Sequence, residues 1–214
     1  VITERPLWQR WMWFLIGVAM GALGIAVVTK SALGTTPISA LPLVFSYRFA
    51  PTFGVFTFVM NMAFILVQAA IYRKEWRAFQ WLQILINFLF SAFIDLWMVA
   101  LTRLEPEHLA WRCVLLAIGC AILGLGISIQ VAPGILTVPG EGIVKAVGWR
   151  TKIRFGTVKI VFDTTLVVLA GISSLVFFGY LSGIGVGTVV SMFAVGLVVN
   201  WCNGHIGWLK TLGA

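Results

Sequence analysis

The chain has 214 residues, of which 60% are hydrophobic and only 10% charged, with a mean hydropathy of +1.02. That leaves too little polar surface to cover a soluble globule, so a bilayer is the natural solvent. The formal charge of +8 does not signal nucleic acid, because the lysines and arginines stand in small groups at the ends of apolar runs, where they act as topology signals.

A span needs roughly 20 predominantly apolar residues. After a short polar lead with Arg5 and Arg10, Trp11 and Trp13 read as interfacial anchors and Trp11 to Thr29 as the first span. Gly17, Gly21 and Gly24 along it allow close approach of another helix. The run has no small-residue cleavage site and more spans follow it, so a retained helix is expected rather than a signal peptide. Beyond Lys30, Thr36 is placed to cap a helix and Pro37 to take its first position, where a missing N–H costs nothing. Ile38 to Phe49 is too short to cross and contains Pro42, so it reads as a half-helix that re-enters the membrane; an interfacial helix on the outer surface is the alternative.

Phe53 to Tyr72 is the second expected span, followed by Arg73, Lys74 and Arg77, and Phe79 to Leu101 is the third, ending near Arg103. The loop Thr102 to Arg112 mixes both signs of charge, and His108 in it reads as a solvated residue. Trp111 to Val131 is the fourth span. Pro133 to Gly148 mirrors the first half-helix, with Lys145, Arg150, Lys152 and Arg154 at its end. Phe155 to Leu175 and Gly185 to Cys202 are the fifth and sixth spans, and Lys210 lies in the tail.

The two halves repeat. Gly24, Thr35, Pro37, Phe53-Gly54 and Asn61 return as Gly126, Thr137, Pro139, Phe155-Gly156 and Asp163, each displaced by 102 positions. Ten lysines and arginines fall inside and four (Lys30, Arg48, Arg103, Arg112) outside if both termini are cytoplasmic. Three crossings per copy then turn the second copy upside down. The expected fold is all-α and integral to the membrane: six transmembrane helices as two inverted three-helix repeats, residues 1–105 and 106–214, each with a short half-helix or re-entrant segment after its first span.

Inverted repeats with broken helices are a recurring plan for secondary transporters. Half-helices starting near Pro37 and Pro139 can aim their positive ends at an anionic group, with Thr35, Thr36 and Thr137 adding hydroxyls; the plainer reading is that Thr-x-Pro only starts a helix. Asp163 lies eight positions after Phe155, about 12 Å into the fifth span, where an ionisable group is costly unless paired, protonated or watered. Lys159, one turn earlier, is its natural partner, and a structural ion pair or a lysine snorkelling to the surface is the alternative. The first copy has neutral Thr57 and Asn61 at these positions. Asp95 in the third span matches Asn200 in the sixth, so each half offers one carboxylate and one amide, Asn61 with Asp95 and Asp163 with Asn200. They suit a polar solute or a proton relay, or equally hydrogen-bonded helix contacts. Glu141, in the first turn after Pro139, stabilises the helix dipole by itself.

Several of these motifs resemble a known family. Gly124-Leu-Gly-Ile-Ser-Ile129, Val138-Pro-Gly-Glu-Gly142, Phe155-Gly-Thr-Val-Lys-Ile-Val-Phe-Asp163, Gly185-Val-Gly-Thr188, Ala32-Leu-Gly-Thr-Thr-Pro37 and Phe93-Ile-Asp95 together resemble the YczE-type (YczE/YyaS/YitT-like) bacterial inner-membrane proteins. The resemblance covers nearly the whole chain. It departs at Gly185-Val-Gly187, where the family often carries an acidic residue before Gly-Thr. It implies a bacterial cytoplasmic membrane and names no substrate.

The expectation is therefore a multi-pass inner-membrane transporter with both termini cytoplasmic, carrying a polar or anionic metabolite, with a coupled proton as an option through Asp163 or Asp95. A non-transporting assembly or regulatory partner is the alternative. Partners are the lipid bilayer and a small solute; six spans are few for a complete pathway, which makes a homodimer a candidate. No nucleophile with a basic partner, metal-ligand cluster or glycine-rich phosphate loop is present, and Cys113, Cys120 and Cys202 have no CxxC spacing, so no enzyme, metal or cofactor is expected.

Overall fold

The computed structural model describes residues 6–207; Arg5 and Lys210, counted above in the charge asymmetry, lie outside that range. The described residues form eight α-helices: α1 (Leu7–Lys30), α2 (Pro37–Arg48), α3 (Phe53–Tyr72), α4 (Gln83–Ala100), α5 (Leu109–Val131), α6 (Pro139–Thr151), α7 (Phe155–Phe178) and α8 (Val186–His205). Six are long and apolar enough to cross a bilayer, which makes the chain a multi-pass membrane protein. With 12 and 13 residues, α2 and α6 reach only about 18–20 Å and cannot cross.

The helix ends follow local chemistry. α2 and α6 both open on proline. Thr52 caps α3 by accepting the Val55 N–H (3.2 Å). α7 runs three residues past the expected end and stops at Gly179, whose left-handed backbone (φ 77°) lets its N–H bond the Leu175 carbonyl. The third span, expected over Phe79 to Leu101, runs over Ala78–Ala100; its first turn, Ala78–Leu82, is a 3-10 helix pinned by the Arg77 N–H on the Gln80 side chain (2.9 Å), and α4 begins at Gln83.

The helices fall into two compact units, each drawing on both halves of the sequence. The first contains α1, α5, α8 and the end of α4 from Leu96. Here α1 and α5 run antiparallel with almost no side-chain layer between them. Gly17 lies against Gln130, Gly21 against Gly126, Gly24 against Leu123 and Val28 against Gly119. Cβ atoms at Gly17 and Gly24 would stand 2.5 Å from backbone nitrogens of α5, so only glycine permits this approach. α8 runs parallel to α5, with Ala194 and Val195 on Cys120, Val198 on Gly124 and Cys202 on Ile129. Arg10 reaches across to donate to the Pro133 carbonyl (2.6 and 3.1 Å), closing the end of α5. The link after α1 turns through Ala32 (φ 57°) and Gly34 (φ 121°) and is held by the Gly187 N–H on the Leu33 carbonyl (2.8 Å).

The second unit contains α2, α3, α4 through Asp95, α6 and α7. α3 and α4 form an antiparallel pair, Gly54 lying against Ser91 and Asp95 at one end and Gln68 near Gln83 at the other. α2 packs on α7 through Ala40, Val44 and Ala170. α6 packs on α3 and α7 through Phe64, Ile143, Val144, Val158 and Leu166.

Candidate functional site

The second unit brings the starts of the two short helices together. Gly140, in the first turn of α6, lies so close to the Ile38 side chain, in the first turn of α2, that a Cβ there would collide with it. Val138 is extended (ψ 153°) and Pro139 is the first helical residue, with the Val138 carbonyl accepting from the Gly142 N–H (2.8 Å). The buried Gln68 of α3 lies alongside: its Nε2 donates to the Pro139 carbonyl (3.1 Å), and its carboxamide occupies the space where a side chain at position 142 would be. Gln83 of α4 points its Nε2 toward Gln68 Oε1 (3.5 Å), while its own buried Oε1 has no protein partner among the described residues.

Charged groups border the same helix start. Glu141 follows Gly140 directly and feels both Lys145, one turn on, and Lys159 of α7. Burial, the larger influence, raises its carboxyl above the ordinary 4.5, and the two lysines pull it back down. Lys145 donates to the Thr137 hydroxyl (3.3 Å). Lys159 pairs with Asp163 at 2.5 Å, the expected one-turn contact; the Asp163 side chain is 8% exposed and that of Lys159 32%. The pair therefore holds its negative end inside the unit while the ammonium reaches outward.

The remaining sequence candidates take other places. Asn61 is buried on α3 and its Nδ2 donates to Asn87 Oδ1 (2.9 Å), while Asn87 Nδ2 donates to the Phe58 carbonyl (3.0 Å). Asp95 stands at the start of α3, accepting from the Gly54 N–H (2.7 Å) and the Thr52 hydroxyl (2.5 Å). Asn61 and Asp95 are the amide and carboxylate offered by the first half, and the folded chain gives each a different partner. In the first unit, Thr36 is buried and the Thr35 hydroxyl meets that of Thr29 at 2.7 Å; the Thr35 carbonyl accepts from Ser191 (3.4 Å). Asn200 is exposed on α8. Within the second unit, Pro37, Thr137, Pro139, Glu141, Lys159 and Asp163 thus belong to α2, α6, α7 or the lead into α6, and Asn61 and Asp95 to the α3–α4 pair.

Sequence reasoning missed Gln68, Gln83 and Asn87. All three are buried carboxamides in or beside an apolar run, and that was a visible signal. Register could not find Gln68, because its repeat mate is Ala170.

No solved structure matches the chain. It is 26% identical over 197 residues to the uncharacterized protein YyaS of Bacillus subtilis (strain 168), covering 90% of this chain and 91% of that one. Residues 8–204 match DUF6198, described as a family of unknown function, and with nearly the whole chain covered the protein belongs to that family.

Proposed function

We propose that the chain is a secondary transporter of the bacterial cytoplasmic membrane that moves a small polar or anionic metabolite, bound where the first turns of α2 and α6 meet. The observation that carries this reading is the Ile38–Gly140 contact with the buried Gln68 beside it. Two positive helix ends, a lysine and carboxamide donors favour an anionic group at one point. Asp163 and Glu141 supply carboxylates nearby, and a coupled proton fits Asp163 better than Asp95, whose two oxygens already hold the start of α3.

The same proposal takes the halves as inverted repeats with re-entrant short helices and both ends of the chain cytoplasmic. Shifting residue numbers by 102 exchanges the Gly17–Gln130 contact with Gly119–Val28, and Gly24–Leu123 with Gly126–Gly21, as a two-fold relation requires. It likewise exchanges the packing of α2 on α7 with that of α6 on α3. Two similar halves can swap conformations and present one site alternately to each side.

Thermal stability against a panel of small metabolites, with wild type and Asp163→Asn in parallel, tests the reading. A compound at 100 times its Kd should stabilise wild type by about 2.7 kcal/mol and a folded Asp163→Asn protein by much less, and should then enter liposomes carrying wild type only. A panel that never distinguishes the two proteins refutes it. The second reading, a non-transporting membrane partner, is favoured by the local satisfaction of Asn61 by Asn87, Asp163 by Lys159 and Asp95 by the α3 start. It requires Asp163→Asn to melt earlier with no change in any solute response.

A further inference from the structure

Along the sequence, Arg73, Lys74 and Arg77 and the later Arg150, Lys152 and Arg154 are two separate groups of topology signals. The second unit joins them. The Tyr72 ring, at the end of α3, lies 5.3 Å from that of Trp149 near the end of α6, so residues 73–77 and 150–154 leave the same ring contact. All six cations are exposed, and Glu75 is the one carboxylate in either stretch. None of the six forms an ion pair among the described residues, where Lys159–Asp163 is the salt bridge found.

The aromatic framework continues through Tyr72–Trp76 (6.4 Å) and Trp76–Trp81 (5.5 Å), and the Lys152 ammonium lies 5.6 Å from the Trp149 ring centre. Tryptophan and tyrosine prefer the depth of lipid headgroups, which places these cations at phosphate level. At the other end of α3 a second ring cluster, Phe45, Phe49, Phe56 and Phe177, is packed as tightly (5.5–6.2 Å), and the cation beside it is Arg48 alone. Ring packing at the ends of α3 therefore does not itself call for a cluster of cations.

We propose that this joined surface is a binding site for an anionic phospholipid headgroup. Four of its six cations are arginines, whose planar forks grip a phosphate through two parallel hydrogen bonds, and the indole rings seat the acyl chains just below. Each basic residue near an anionic leaflet is worth about fivefold in partitioning, so a surface assembled from both loops binds far more tightly than either loop alone. The proposal stands independently of any transport activity.

The test uses the purified full chain in nanodiscs of phosphatidylcholine, with or without about one third phosphatidylglycerol. Phosphatidylglycerol should raise the wild-type Tm by about 5 °C at 0.15 M salt and by less at 0.5 M. Arg73→Gln/Lys74→Gln/Arg77→Gln and Arg150→Gln/Lys152→Gln/Arg154→Gln should each lose most of that rise, and Arg48→Gln should keep it. Equal wild-type Tm in both lipids, a rise that survives both triple variants, or the same rise from 10 mM inorganic phosphate over phosphatidylcholine alone would overturn the proposal. If either triple variant does not fold, mass spectrometry of lipid retained by wild type from an equimolar mixture decides: enrichment of phosphatidylglycerol supports the site, and equal retention removes it.

Discussion

Replacing Gly126 with alanine tests the antiparallel seam between α1 and α5. A Cβ there would stand 2.6 Å from the Gly21 amide nitrogen and 3.0 Å from the Met20 carbonyl carbon. Ordinary contact begins at 3.4 Å, so the two backbones must part locally by about 0.8 Å. Neither neighbour is a side chain that can swing aside. Overpacking of this kind costs about 1–3 kcal/mol, against at most about 1 kcal/mol returned by the better helix propensity of alanine. The net expectation is a loss of about 1–2 kcal/mol, or roughly 2–8 °C in Tm. A thiol-reactive dye reads the melt, because Cys120 and Cys202 are buried and Cys113, already exposed, sets the baseline. The control is Gly196→Ala on α8, which has open space around the added methyl and should melt at or above wild type. Adding Gly24→Ala to Gly126→Ala should cost less than the sum of the singles, because the first substitution has already separated the helices. If Gly126→Ala and Gly196→Ala move Tm alike, the seam is not tight and the reasoning fails.

Asn87→Leu should destabilise by about 1–3 kcal/mol, since it leaves the buried Asn61 carboxamide unbonded, and Asn61→Leu/Asn87→Leu should recover most of the loss in the same melt. Asp95→Ala removes the acceptor of the Gly54 N–H and the Thr52 hydroxyl; a cost of about 1–2 kcal/mol and faster amide exchange at Gly54 and Val55 are expected. For Glu141 the folded state raises the carboxyl above 4.5, so its stabilising contribution is present at low pH and lost as pH rises through the raised value. Glu141→Gln should therefore gain on wild type in a Tm profile run upward from pH 4.5, and a gap that stays constant with pH would count against a half-buried, protonatable Glu141.

Much of the helix plan was legible in the sequence. Pro37 and Pro139 mark the starts of α2 and α6 to the residue, because a proline at the first helical position forfeits no hydrogen bond. The span ends were less legible. Leu7 joins α1 because the Pro6 carbonyl accepts from Gln9 and Arg10, a local bond that hydropathy does not register. Partnership was least legible of all. Lys159–Asp163 could be read because both residues lie on one helix, one turn apart. Asn61–Asn87, Gln68–Pro139 and the Asp95 cap depend on which helix faces which and at what height, and a 102-residue register carries no such information.

The glycine seam also has a consequence in time. α1 leaves the ribosome before α5, and its matching surface there is complete only at Val131, about 100 residues later, or roughly 5–20 s of synthesis. Through that interval Gly17, Gly21 and Gly24 present a groove that some other surface must occupy, whether lipid, insertion machinery or a neighbouring copy. Because the seam forms between segments already made and waiting, covalent continuity through the loop between α4 and α5 is not what holds it. Two fragments cut between Thr102 and His108 and synthesised separately in one cell should find each other and reassemble.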